Sequence, residues 1–195
     1  EVVLELLCSA LTDPFYDSLR TQQQLGYIVF CGVRNTLNFK SAVFIVQSSV
    51  RNPSYLQGKV MEFLKEFRGK FSNVDWKSYA EGMAEKRREK DRRLGQEVLR
   101  NLEEIAIGQY DFMRREEEAK IFDKIGKKDV IEFFDKYIAE GGEERRCFIT
   151  QAWCKRHVDE VEGIEGEETN VSNYTLIKDP IEWRNKQEFY PLVKK

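Results

Sequence analysis

Histidine is nearly absent from this chain: it occurs once, at His157, in a charged stretch beside Arg156. A single imidazole cannot make the common catalytic zinc site in which two histidines one helical turn apart hold the metal, so a solvated side chain is the plain reading of His157. Cysteine is sparse as well. Cys8, Cys31, Cys147 and Cys154 are scattered without a C-x-x-C pair, and two of them sit inside apolar runs, where buried inert thiols are usual. With no targeting leader visible at the start, this usage predicts a reducing, cytoplasmic setting and no disulfide framework. No apolar run approaches the ~18 residues of a helical membrane span, so no membrane partner is expected. Net charge is also lacking: 32 basic against 34 acidic groups leave −2, which predicts neither a nucleic-acid binder nor a membrane-surface protein.

What is present is enough to fold. A chain of 195 residues that is 41% hydrophobic can bury a real core. Leu4, Leu7, Cys8 and Leu11 share a helical face from the first residues onward, with no capping residue before them, which reads as a cut through a larger protein. Asp13-Pro14 predicts a stop and a short second helix to about Arg20. The period changes at Gly26. Tyr27 to Val33 and Ser41 to Gln47 alternate as two strands of a hairpin, and the second is apolar on both faces, which predicts a central, covered strand.

Helices dominate the middle. Pro53 opens one with Val60, Phe63, Leu64 and Phe67 aligned, ending near Gly69. Further helices are predicted from about Val74 to Arg93, Gln96 to Ile107, Glu116 to Ile125 and Lys128 to Ile138. Their core faces would carry Val98, Leu102 and Ile105, then Ile121, Phe122 and Ile125, then Val130, Phe134, Tyr137 and Ile138. Gly141-Gly142 breaks the last, and Arg146 to Trp153 reads as a third strand. Asp159 to Glu168 holds six acids and two glycines in ten residues and reads as a loop, followed by a short capped helix at Asp179-Pro180 and an extended tail. The fold class is α+β: an antiparallel-type sheet covered by several helices, in one domain spanning 1–195 with a less regular tail over 155–195. Three strands are few for so many helices, so further strands are expected before Glu1.

The segment Leu19-Arg20-Thr21-Gln22-Gln23-Gln24-Leu25-Gly26-Tyr27-Ile28-Val29-Phe30 sets an arginine and a phenol on either side of a strand entrance. It resembles the substrate-facing segment of the insulysin-like zinc metallopeptidases of the pitrilysin (inverzincin) family. Phe44-Ile45-Val46-Gln47-Ser48, Gln109-Tyr110-Asp111-Phe112, Lys127 to Phe134 and Tyr190-Pro191-Leu192-Val193 fall in the order and approximate spacing of that family's fourth, C-terminal domain. The resemblance implies a metallopeptidase-type domain within an enzyme that degrades peptides in an enclosed chamber. Zinc would be bound by another domain carrying H-x-x-E-H, a motif this chain does not contain. It implies no catalytic or metal-binding residue here, and substrate contacts from Arg20 and Tyr27. A guanidinium can bind a peptide carbonyl, and a phenol can stabilise a tetrahedral oxyanion. The bland alternative is an arginine closing a helix and a tyrosine packing at a strand edge. The partners implied are the N-terminal peptidase domains of the same protein, a peptide substrate and a homodimer of the full-length enzyme.

The run Lys86-Arg87-Arg88-Glu89-Lys90-Asp91-Arg92-Arg93 holds six bases in eight residues. Such a run is usually a solvated helix face. The resemblance also implies an ATP or polyanion site, whose nearest matches are Lys90, Arg92 and Arg93. No aromatic platform is interleaved, so no nucleic-acid contact is expected. Three functions follow as expectations: the C-terminal part of a zinc endopeptidase that is inactive alone, a catalytically inactive scaffold or processing-complex subunit of the same fold, and a polyanion-binding module.

Overall fold

The computed structural model describes residues 1–36, 39–157, 177 and 179–187. Two compact units are distinguished, Glu1–Ala152 and Trp153–Lys195.

The first unit begins with helix α1 (Val2–Tyr16), which runs straight through Pro14 instead of breaking there. Leu4, Leu7, Leu11 and Phe15 form one buried stripe that Leu19 extends by a further turn. Burying it offsets the roughly 3 kcal/mol that a mid-helix proline costs, so the local stop signal is overridden. The helix then widens into a π-helical segment, Asp17–Gln22.

Strands β1 (Ile28–Thr36) and β2 (Phe39–Gln47) pair antiparallel, with Ile28 opposite Gln47 and Cys31 opposite Phe44. Helix α1 packs along β1, where Val29 and Cys31 are buried. Beside them Phe44 and Val46 of β2 lie against the core. The alternate residues Phe39 and Ile45 are exposed, so β2 is covered on one face, not both as its composition predicts. Among the described residues the sheet has these two strands, and Arg146–Trp153 is not a third. Just before that segment Glu144 N donates to Lys136 O (3.1 Å) at the preceding helix end, and within it Gln151 Nε2 donates to Gln57 Oε1 (2.8 Å).

Helix α2 (Pro53–Gly69) is capped by Asn52, whose Oδ1 accepts from Tyr55 N at 2.8 Å. A 3-10 turn over Phe71–Asn73 leads to α3 (Trp76–Arg88), capped by Asp75. This helix ends five residues short of the sequence expectation because the Arg115 guanidinium donates to the carbonyls of Arg87 and Glu89, satisfying a helix end there. Helices α4 (Leu94–Ala106), α5 (Arg114–Phe122) and α6 (Lys127–Tyr137) follow. Phe122, Val130 and Phe134 are buried as expected, whereas Val98, Leu102, Ile105, Ile121 and Tyr137 are exposed. In α4 the reversal has a clear cause: Glu104 is the buried side chain, accepting from Arg114 Nε at 2.6 Å and Nη2 at 3.0 Å. Past α6, a Cβ on Gly142 would lie 2.6 Å from Lys136 O, so only glycine lets the chain pass this close to the helix end.

The core is threaded by aromatic rings. Phe15 meets Phe44 and Phe63, and Phe71 meets Phe67, Trp76 and Phe134, at centroid distances of 5.0 to 5.5 Å. Beside it, a half-buried ion cluster joins α1, β2, α3 and α5. Lys40 Nζ lies 2.7 Å from Glu5 and 3.5 Å from Glu118, and Arg87 pairs with the same two carboxylates. Burial opposes the charge on Lys40, but its hydrogen bond to Glu5 and the carboxylates of Glu5, Glu118 and Glu1 carry its pKa above the usual lysine value.

In the second unit a 3-10 turn holds Lys155–His157, and α7 (Pro180–Asn185) is capped by Asp179, as the sequence predicts. The acidic stretch Asp159–Glu168 and the motif at Tyr190–Val193 lie outside the described residues. Among those described, no helix is long and apolar enough to cross a membrane.

Candidate functional site

Arg20 and Tyr27, seven positions apart across a turn, are brought together. Leu19 and Leu25 are both buried and anchor the two sides of that turn. Gln23 N donates to Ser18 O (3.0 Å) and Leu25 N to Leu19 O (2.9 Å), so the π-helical segment is closed by wide backbone bonds. Gln24 takes the left-handed conformation, φ 50°, that ends the helix and turns the chain toward β1.

Arg20 Nη1 then donates to the carbonyl of Gly26. The same guanidinium lies over the Tyr27 ring, 4.9 Å from its centroid, in cation–π contact. Gly26 itself is pressed against β2: a Cβ there would come 1.9 Å from Gln47 O. No side chain fits, so glycine is required by close approach to the strand. Tyr27 is 82% exposed and presents its ring and hydroxyl outward.

Chemically this is an exposed phenol backed by a permanent cation. A guanidinium carries five N–H donors in a planar fork, so a bond to Gly26 leaves Arg20 able to reach a peptide carbonyl as well. The sequence identifies Arg20, Gly26 and Tyr27 but not Gln47, whose carbonyl fixes the turn. The only hint of it was a glycine where strand pairing begins.

The basic run is divided. Arg87 is spent in the ion cluster and Arg88 pairs with Asp123. Lys90, Arg92 and Arg93 are exposed just before α4. Arg92 Nη2 lies 2.8 Å from Glu89 Oε1, and the backbone N–H groups of Arg92 and Arg93 donate to Gln96 Oε1. A shallow surface hollow of about 500 Å³ nearby is lined by Gly82, Glu85, Lys86, Arg88 and Glu89, a mixture of charges.

Burial pushes the Cys8 thiol up to about 12, with Cys31 and Glu5 adding to it, and burial likewise holds Cys31 at about 11. Neither is a nucleophile near neutrality. Among the described residues no group of three or more His, Cys, Asp or Glu could hold a metal ion, so they do not fit a zinc site.

Residues 6–102 match the family described as PQQ synthase PqqF-like, C-terminal lobe domain 4. The chain is 33% identical to the insulin-degrading enzyme of Drosophila melanogaster over 98% of its own length and 20% of that protein. It is 31% identical to a nardilysin-like protein of Arabidopsis thaliana, over 98% of this chain and 18% of the relative. With human insulin-degrading enzyme the identity is 29%, over 98% and 20%. The crystal structure of pitrilysin superposes with a TM-score of 0.61 over 69% of this chain and 15% of pitrilysin, at 21% identity.

Helices over a small antiparallel sheet thus define a domain with the pitrilysin-type metallopeptidase fold. The chain belongs to the insulysin-like family, in the part that corresponds to its C-terminal domain. It spans about one fifth of the length of the curated relatives it matches.

Proposed function

We propose that the chain is the C-terminal, non-zinc domain of an insulysin-like zinc metalloendopeptidase, and that Arg20 and Tyr27 supply substrate and transition-state contacts to a peptide held in an enclosed chamber. The observation that carries this reading is the stacking of Arg20 on an outward-facing Tyr27, at the segment by which the sequence resembles that family. A structural tyrosine at a strand edge would bury its ring; this one does not.

In this reading the metal belongs to another domain, and this chain alone is inactive. Tyr27 donates its hydroxyl hydrogen bond to the oxyanion that forms when the scissile carbonyl becomes tetrahedral. Arg20 holds the ring from behind and offers its remaining N–H groups to a neighbouring peptide carbonyl. Donors held ready for a charge that develops only in the transition state raise turnover more than they raise ground-state binding. The N-terminal domains of the same protein are then its obligate partners, in a reducing, cytosol-like compartment.

The test is Tyr27→Phe in the full-length enzyme. Turnover of a peptide should fall by about 10²-fold with little change in KM, because the ring and its stacking survive and only the hydroxyl is lost. Unchanged turnover would reduce Tyr27 to a structural residue and favour the alternative, an inactive scaffold or processing subunit. A polyanion such as ATP at Lys90, Arg92 and Arg93 is a second and separable reading, favoured by the exposure of all three beside one another.

A further inference from the structure

Helix α4 is built inside out. Its buried side chain is a carboxylate, Glu104, bound to Arg114, and Arg100 donates to Asp91 at 3.1 Å, so ion pairs hold the helix to its own unit. Its apolar residues Leu94, Val98, Leu102 and Ile105 follow one another at helical spacing along a single face, and they are 76%, 45%, 51% and 45% exposed. Leu99, 64% exposed, widens that face. Singly exposed leucines are ordinary on a protein surface, but a continuous row over three turns is the mark of a face that docks.

We infer that this stripe is an interface, and that its occupant is another domain of the same polypeptide. Two observations choose that occupant. The chain accounts for about one fifth of the length of its relatives, and the matching family is described as domain 4 of a C-terminal lobe, which is a domain packed among others. A second copy fits less well: an antiparallel pairing of two α4 helices about Val98 would bring the two Glu97 carboxylates onto the same flank, where like charges repel. The partner surface is therefore an apolar groove or helix face with a basic residue near Glu97 and acidic ones near Lys90, Arg92 and Arg93. The inference rests on the chain being one domain of a longer polypeptide, and not on any peptidase activity.

The experiment is thiol labelling at position 102. Leu102→Cys, in a background carrying Cys147→Ser and Cys154→Ser, is made both in the 195-residue chain and in the full-length polypeptide. Reaction with a maleimide at residue 102 is followed by mass spectrometry. The cysteine should label at the rate of an open site in the 195-residue chain and at least ten-fold more slowly in the full-length protein. A second variant, Leu102→Asp, should leave the melting temperature of the chain unchanged and lower that of the full-length protein. Equal labelling rates in both would overturn the inference. So would slow labelling in the 195-residue chain, which means a second copy if dilution restores the rate and another stretch of this chain if it does not. A reading frame that encodes no further domain overturns it as well.

Discussion

At the scale of single residues, the candidate site depends on contacts that position a side chain as much as on the side chains themselves. Gly26 illustrates this. With a prospective Cβ only 1.9 Å from Gln47 O, Gly26→Ala forces the end of β2 or the turn to move. Forced overpacking of this kind costs about 1–3 kcal/mol, so urea denaturation of the chain should show that loss, and the Arg20–Tyr27 contact should be displaced with it. An alanine variant as stable as the parent would mean that the turn is loosely held. Arg20, Gly26 and Tyr27 were legible in the sequence because an arginine, a glycine and a tyrosine each carry a chemical meaning at a period change. Gln47 and the left-handed Gln24 were not legible, since a backbone carbonyl and a φ angle leave no mark in residue type.

At the scale of elements, local signals and tertiary packing compete, and the outcome is visible in each disagreement. The hairpin, α2 and α6 were readable because period, caps and breakers agree there. Pro14 misleads because the stripe from Leu4 to Leu19 is worth more than one lost hydrogen bond. Helix α4 was located correctly but its orientation was not: periodicity shows that a face is apolar, not whether this unit covers it. What covers Glu104 instead is Arg114, whose hydrogen bonds and charge hold the carboxyl below the usual glutamate range. A carboxylate with a depressed pKa contributes stability that is present above the unfolded value and is lost as pH falls through the folded one. Glu104→Gln should therefore destabilise the chain by about 2 kcal/mol at pH 7. The gap to the parent should close as the pH drops below the usual glutamate range, as read from urea midpoints at pH 7 and pH 3. A constant gap across that range would mean that the pair contributes through packing, not charge.

At the scale of the whole molecule, the proposed function makes the chain one working part of a larger enzyme. Its exposed features sort into separate roles. Arg20 and Tyr27 form an outward-facing pair, proposed to meet substrate; α4 exposes an apolar stripe, inferred to meet a neighbouring domain; and Lys90, Arg92 and Arg93 beside α4 are outside the buried ion cluster. Function at this scale is the hardest to read from sequence, because a surface that meets another domain differs from a core face only in what lies across from it. The central claim is that Arg20 and Tyr27 act as a unit on the transition state. The most direct measurement is a double-mutant cycle on kcat/KM for peptide hydrolysis by the full-length enzyme, with Arg20→Met, Tyr27→Phe and both together. Each single variant should lose about 10²-fold or more, and the double variant should be little worse than the worse single one, since each side chain depends on the other. Losses that simply multiply, or single variants with parental kcat/KM, would contradict it.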